Sequence, residues 1–125
     1  PVSAAAARAT LGVFRQPGTY EHLYGLGKYL REGLRKTLAE HQQTAQVTGD
    51  GPLVGMVFSP DPVTDYRTAK RGDSAKSRAF LLGMFRRGIF LNPMSTKFYL
   101  SLAHSRETCD RFLDRVADTL PELPS

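Results

Sequence analysis

Gln46-Val47-Thr48-Gly49-Asp50-Gly51-Pro52-Leu53-Val54-Gly55-Met56-Val57-Phe58 is the stretch where the chain changes from helical to extended patterning. Val47 and the run from Leu53 to Phe58 carry the β-branched and apolar side chains that suit a pleated surface. Gly49-Asp50-Gly51-Pro52 between them supplies the residues a tight turn needs: glycines free to take positive φ, an Asp that bonds its own backbone, and a Pro with φ already set. The reading is two strands, 46–48 and 53–58, joined by that turn. The second is apolar on both faces, as a central strand is, and Ser59-Pro60-Asp61-Pro62 ends it because proline has no N–H for a ladder.

Upstream, the period is helical. Ala4 to Phe14 is made of good helix formers, and Gln16-Pro17-Gly18 stops it. Thr19 is the expected N-cap of the next helix, with Glu21 in the first turn where the helix dipole favours an acid. That helix carries Leu23, Leu26, Leu30, Leu34 and Leu38, a single apolar stripe at helical spacing. Gly25, Gly27 and Gly33 lie inside it, each either a close-packing site or a tolerated surface glycine.

Downstream, Asp73 is a cap for a third helix with Phe80, Leu81, Met84 and Phe85 on its core face, and Gly88 suits the residue just past its end. Ile89-Phe90-Leu91 reads as a short strand, and Phe98 to Leu102 as another. Phe98, Leu100 and Leu102 fall on one side of it, Lys97 and Tyr99 on the other. Ser105 caps a last helix that buries Cys109, Phe112, Leu113, Val116 and Leu120. The order α-α-β-β-α-β-β-α predicts an α+β domain: a small, mainly antiparallel sheet of about four strands with helices on one face. The expected core is Val54, Met56, Phe58, Phe85, Leu100, Leu102, Phe112 and Val116.

Composition bounds the function. A chain of 125 residues with 41% hydrophobic and 23% charged residues is ordinary for one globular domain. Its apolar runs fall far short of the ~20 residues that span a bilayer, so no membrane partner is expected. The lone cysteine, Cys109, excludes an internal disulfide and a Cys-spaced zinc site. It falls on an apolar helix face, so an inert core thiol is expected, and the thiol chemistry fits a cytoplasmic setting. The net charge is +5, with the densest basic group at Arg67, Lys70, Arg71, Lys76 and Arg78, interrupted by Asp65 and Asp73. Such a solvated, mixed face does not point to nucleic acid. His22, His41 and His104 follow no metal-ligand spacing, and there is no phosphate-binding glycine motif or nucleophile elbow. No metal site and no complete catalytic set emerges from the residues themselves.

Three stretches carry a resemblance. Pro1-Val2-Ser3-Ala4-Ala5-Ala6-Ala7 running to Pro17-Gly18-Thr19-Tyr20 is one. Gly55-Met56-Val57-Phe58 through Pro62-Val63-Thr64-Asp65-Tyr66 to Asp73 is the second. Arg87-Gly88-Ile89-Phe90-Leu91-Asn92-Pro93 to Ser101-Leu102-Ala103-His104-Ser105 is the third. In this order and spacing the chain resembles the C-terminal part of the class-III, pyridoxal-phosphate-dependent aminotransferases, in particular glutamate-1-semialdehyde 2,1-aminomutase and its relatives. The resemblance implies the C-terminal small domain of a fold-type-I enzyme, with residues 1–18 as a helix leading in from a large domain and 19–125 as the small domain. The partners it implies are that missing large domain, a homodimer mate in the parent enzyme, and an amino-acid or keto-acid substrate.

The absence of an initiator Met before Pro1 supports the expectation of a piece of a longer protein. The parent would use pyridoxal 5'-phosphate and transfer amino groups through a lysine aldimine formed upstream. None of Lys28, Lys36, Lys70, Lys76 or Lys97 sits where that lysine would be, so no catalytic or cofactor-binding residue is assigned here and this piece is expected to be inactive alone. The chemistry belongs to the cofactor, and orientation to the protein. The chain departs from the aminomutases at Asn92-Pro93-Met94-Ser95-Thr96-Lys97 and has Tyr99 where many class-III transaminases carry a carboxylate-binding arginine. The substrate-proximal candidates are Asn92, Ser95, Lys97 and Tyr99. Two other readings stay open at the level of sequence: a stand-alone α+β binding or regulatory module, and a basic nucleic-acid-binding domain.

Overall fold

A computed structural model describes residues 1–92 and 97–124 of the chain. The elements are α1 (Val2–Phe14), α2 (Thr19–Glu40), β1 (Gln46–Thr48), β2 (Leu53–Val57), α3 (Tyr66–Lys70), α4 (Ser74–Arg86), β3 (Lys97–Tyr99) and α5 (Arg106–Thr119), closed by a 3-10 turn (Leu120–Glu122). The sheet is antiparallel in the order β1-β2-β3. Val47 pairs with Met56, Val54 with Phe98, and Gly55 lies between Thr48 and Lys97. The α+β class stands. The sheet has three strands among the described residues rather than about four. Ile89 to Leu91 is not a strand: Gly88, in the left-handed region at φ 77°, turns the chain, and Leu91 is buried as irregular backbone.

The leucine stripe of α2 is the spine of the core. Leu23, Leu26, Leu30, Leu34 and Leu38 are all buried, and each stabilises the fold by about 1.5–3 kcal/mol relative to an exposed side chain. Against it pack Val54, Met56 and Phe58 from β2 and its end, Phe98 from β3, Phe80 and Met84 from α4, and Cys109 and Val116 from α5. Of the expected core, Val54, Met56, Phe58 and Val116 are buried, and Phe85, Leu100 and Phe112 are half-buried. Leu102 is 44% exposed, because β3 ends at Tyr99 and the strand alternation no longer holds at residue 102.

The caps explain where the helices start. Asp73 Oδ1 accepts from Lys76 N–H at 2.8 Å, and Ser105 Oγ accepts from Thr108 N–H at 3.3 Å, as the sequence indicates. Thr19 is not a cap. Gly18, at φ 85°, is the N-cap of α2, while the Thr19 hydroxyl donates to the Val13 carbonyl and ties α1 to α2. The short α3 was not legible as a helix. A reciprocal capping box makes it, Asp65 accepting from Thr68 N–H and Thr68 Oγ1 from Asp65 N–H. A Cβ on Gly33 would stand 2.4 Å from Leu113 Cδ1, so this glycine serves close packing of α2 on α5; nothing lies within 4 Å of one on Gly25. Tyr29 on α2 also donates a short hydrogen bond to Asp110 on α5 and lies under the Arg106 guanidinium.

α1 is different. None of its residues is buried, and Val2, Leu11, Val13 and Phe14 are exposed apolar side chains.

Candidate functional site

One face of the sheet is covered by α2 and α5. The other presents Leu53, Gly55, Val57, Lys97 and Tyr99. Along β3 the alternation predicted from sequence holds: Phe98 is buried, while Lys97 and Tyr99 are exposed. Among the described residues this strand is an edge, and two clefts meet at it. The first, about 630 Å³, lies beside 88–92, β3 and the first turns of α5. The second, about 1070 Å³, lies between the open sheet face and α3–α4, with Lys70, Arg78 and Lys97 on its wall. Lys97 lines both.

Of the predicted substrate-proximal residues, Asn92, Lys97 and Tyr99 come together around the first cleft. Ser95 lies outside the described residues. Lys97 Nζ forms no ion pair among the described residues.

His104 is the residue that sequence reasoning missed. Its ring lines the first cleft. Nδ1 accepts from Ser101 N–H at 3.0 Å and lies 3.0 Å from Ser101 Oγ, which itself accepts from Ala103 N–H at 3.3 Å. With Nδ1 used as an acceptor, the neutral ring carries its proton on Nε2. The backbone of His104 is fixed as well: its N–H donates to the Ser101 carbonyl, and its carbonyl accepts from His22 Nε2. The Ser101-x-x-His104 spacing was the only sequence signal, and it is a weak one.

Cys109 also lines this cleft and is 2% exposed. Burial pushes its thiol pKa up, and the nearby Asp110 carboxylate adds to the shift. That disfavours the thiolate and agrees with an inert core thiol. No cluster able to hold a metal ion occurs among the described residues, and no described helix is long and apolar enough to cross a membrane.

No protein-family model matches the chain. Solved structures do. A glutamate-1-semialdehyde aminomutase from Pseudomonas aeruginosa superposes with a TM-score of 0.85 and 26% identity, over 96% of this chain and 27% of that one. An omega-transaminase from Sphaerobacter thermophilus superposes with a TM-score of 0.72 and 26% identity, over 85% of this chain and 24% of that one. The chain is a homologue of one part of the class-III pyridoxal-phosphate-dependent aminotransferases. Within that class its sequence relatives include glutamate-1-semialdehyde 2,1-aminomutases. The protein of that name from Thermomicrobium roseum is 38% identical over 124 residues, 98% of this chain. The chain spans 29% of the length of that relative.

The capped helix starts and the lysines described here do not fit pyridoxal phosphate. A cofactor phosphate is held by free N–H groups at a helix N-terminus. At the starts of α3, α4 and α5 one such N–H each is taken by Asp65, Asp73 and Ser105, two of them carboxylates that repel an anion. The lysines are engaged or outward-facing: Lys28 lies 3.9 Å from Glu32, Lys36 3.8 Å from Glu40, and Lys70 and Lys76 lie over the Tyr66 and Phe58 rings. Lys97 is exposed on an edge strand.

Proposed function

We propose that this chain is the C-terminal small domain of a pyridoxal-phosphate-dependent aminotransferase or aminomutase acting on an amino-acid or keto-acid substrate, with the lysine and phosphate contacts supplied by the rest of the enzyme. Residues 19–125 form the domain, and 1–18 lead into it from the large domain. The observation that carries this is the 38% identity running over 98% of the chain. The cofactor supplies the amino-transfer chemistry when bound to the whole enzyme; this chain supplies a wall of the substrate cleft.

Asn92, Lys97 and Tyr99 are its contacts to substrate. Lys97 offers an ammonium to a carboxylate as a point charge, where an arginine would grip with a planar fork. The parent enzyme acts as a cytoplasmic homodimer, and the isolated chain is inactive. The test is to titrate the 125-residue chain and the full-length enzyme with pyridoxal phosphate and follow the absorbance of lysine-bound cofactor. Binding is expected only in the full-length enzyme. In that enzyme, Lys97→Ala and Tyr99→Phe raise KM for acidic donors and leave cofactor affinity unchanged. A specific lysine adduct on the 125-residue chain, or a full-length protein without cofactor, contradicts the reading.

A further inference from the structure

We infer that His104 is a positioning residue: its imidazole takes the Ser101 backbone N–H and so locks the end of β3, the strand on which Lys97 and Tyr99 stand. β3 is three residues long and, among the described residues, pairs on one side only. A strand so short makes few ladder bonds, and an edge has no second neighbour to hold it. The side chains it presents are placed only as well as its backbone is. Phe98 anchors the middle of the strand, buried against Phe112 with ring centroids 5.2 Å apart. Beyond Tyr99 the Leu100 N–H still reaches the Pro52 carbonyl, at 3.0 Å, in the β1–β2 turn.

Ser101 comes next, and His104 closes on it twice. Ser101 N–H donates to Nδ1 at 3.0 Å, with the Ser101 hydroxyl 3.0 Å from the same nitrogen, and the His104 N–H donates back to the Ser101 carbonyl at 3.1 Å. Nδ1 can accept an N–H only when it carries no proton, so the ring is held in one tautomer. This loop is tied to the core helix, because His22 on α2 donates Nε2–H to the His104 carbonyl at 3.3 Å. α2 also holds the β1–β2 turn, through Arg31 Nη1 on the Gly51 carbonyl at 2.7 Å. Leu100 through the turn and Ser101 through His104 are therefore fixed to the same helix. A site works only when the groups behind its contacts are themselves fixed, and small displacements of a positioning group are costly. His104 supplies that support from behind the strand, acting through Tyr99 and Lys97 rather than on substrate.

The inference rests on the reading of Lys97 and Tyr99 as substrate contacts, and two measurements separate its failure from the failure of that reading. The first uses the 125-residue chain without cofactor or substrate. In the isotope-labelled chain, NMR shows His104 Nδ1 as an unprotonated nitrogen with a coupling across the hydrogen bond to the Ser101 amide. In His104→Phe, amide exchange at Leu100 becomes about tenfold faster, the effect of losing one neighbouring hydrogen bond. His104→Asn, whose Oδ1 branches from Cγ as Nδ1 does, restores slow exchange. The nitrogen measurement needs no variant, so it decides the latch even where His104→Phe does not fold.

The second measurement uses the full-length enzyme. His104→Phe raises KM for acidic donors by about three- to tenfold, with kcat and cofactor affinity unchanged, and His104→Asn returns KM toward the wild-type value. A role in stability alone would lower the amount of folded enzyme and leave the KM of the remainder as it was. A protonated Nδ1, unchanged Leu100 exchange in His104→Phe, or unchanged KM in that variant while Lys97→Ala raises it overturns the inference and leaves the aminotransferase reading standing. Where Lys97→Ala and Tyr99→Phe themselves leave KM unchanged, the reading of the strand as substrate-facing fails, and the inference fails with it.

Discussion

Gly27 in α2 faces the carbonyl of Gly51 in the β1–β2 turn so closely that a Cβ at residue 27 would stand 1.8 Å from that oxygen. The same oxygen accepts from Arg31 Nη1 at 2.7 Å, one helical turn further along. The turn that sets the sheet register is therefore seated on the helix that carries the core, with backbone against backbone.

That seat predicts opposite outcomes for two glycines in one helix. Gly27→Ala destabilises by about 1–3 kcal/mol, because the obstruction is main chain and cannot rotate away. Gly25→Ala, where nothing lies within 4 Å, stabilises by about 0.5–1 kcal/mol through helix propensity. Urea denaturation of both variants measures the pair. Equal effects of the two would mean that the turn does not dock on α2 as described.

Stability falls on acidification through two identified carboxyls. Thr68, through its N–H and hydroxyl, holds the Asp65 carboxyl below its ordinary pKa, and Arg87, with Nη2 2.5 Å from Oε1, holds Glu122 below its own. A depressed folded-state pKa means stability that is present above the unfolded values, about 3.9 for Asp and 4.3 for Glu, and lost as pH falls through the lower folded values. Both groups are solvent-exposed, so the effect is modest. The urea midpoint of the wild type drops between about pH 5 and pH 3, over the range where these carboxyls protonate. The Asp65→Asn/Glu122→Gln double variant starts lower at neutral pH and shows a shallower drop. Parallel curves for the two proteins would rule out these carboxyls as the cause.

Phe80 and Phe112 separate the inner from the outer core. Phe80 is 0% exposed and lies edge-on to Phe58, whereas Phe112 is half-buried beside Phe98 at the cleft wall. Phe80→Ala costs about 3–5 kcal/mol, the figure for a fully enclosed ring. Phe112→Ala costs less, because water already reaches part of the ring. Calorimetry of the two variants gives the order, and a larger loss at Phe112 would contradict it.

Much of this fold was legible because its signals are local. The leucine spacing of α2, the Asp73 and Ser105 caps, the Gly88 turn and the Lys97/Tyr99 alternation each lie within a few residues of the chain. The features that escaped depend on tertiary placement. Ile89 to Leu91 is apolar like a strand, yet no strand among the described residues pairs with it, and Leu91 is buried without a ladder. Leu102 continues the strand pattern past the point where the backbone leaves the sheet. The role of His104 rests on hydrogen bonds to the Ser101 backbone and from His22, and composition records neither.

α1 contributes little to the stability of the rest of the domain. It buries no residue, and its ties to the remainder are the Thr19 hydroxyl on the Val13 carbonyl and the Phe14 ring 5.7 Å from Tyr20. A helix of 13 residues is marginal in water when tertiary packing does not support it. Deleting residues 1–12 removes most of α1 and spares both ties, so the unfolding free energy of the remainder changes by less than about 0.5 kcal/mol, as for surface changes that remove no core contact. In the intact chain, amide exchange over residues 2–12 is fast while that of α2 near Leu34 reports global unfolding. A loss of several kcal/mol on deletion, or slow exchange throughout α1, would mean that the helix belongs to the folded unit and that the division after residue 18 is wrong.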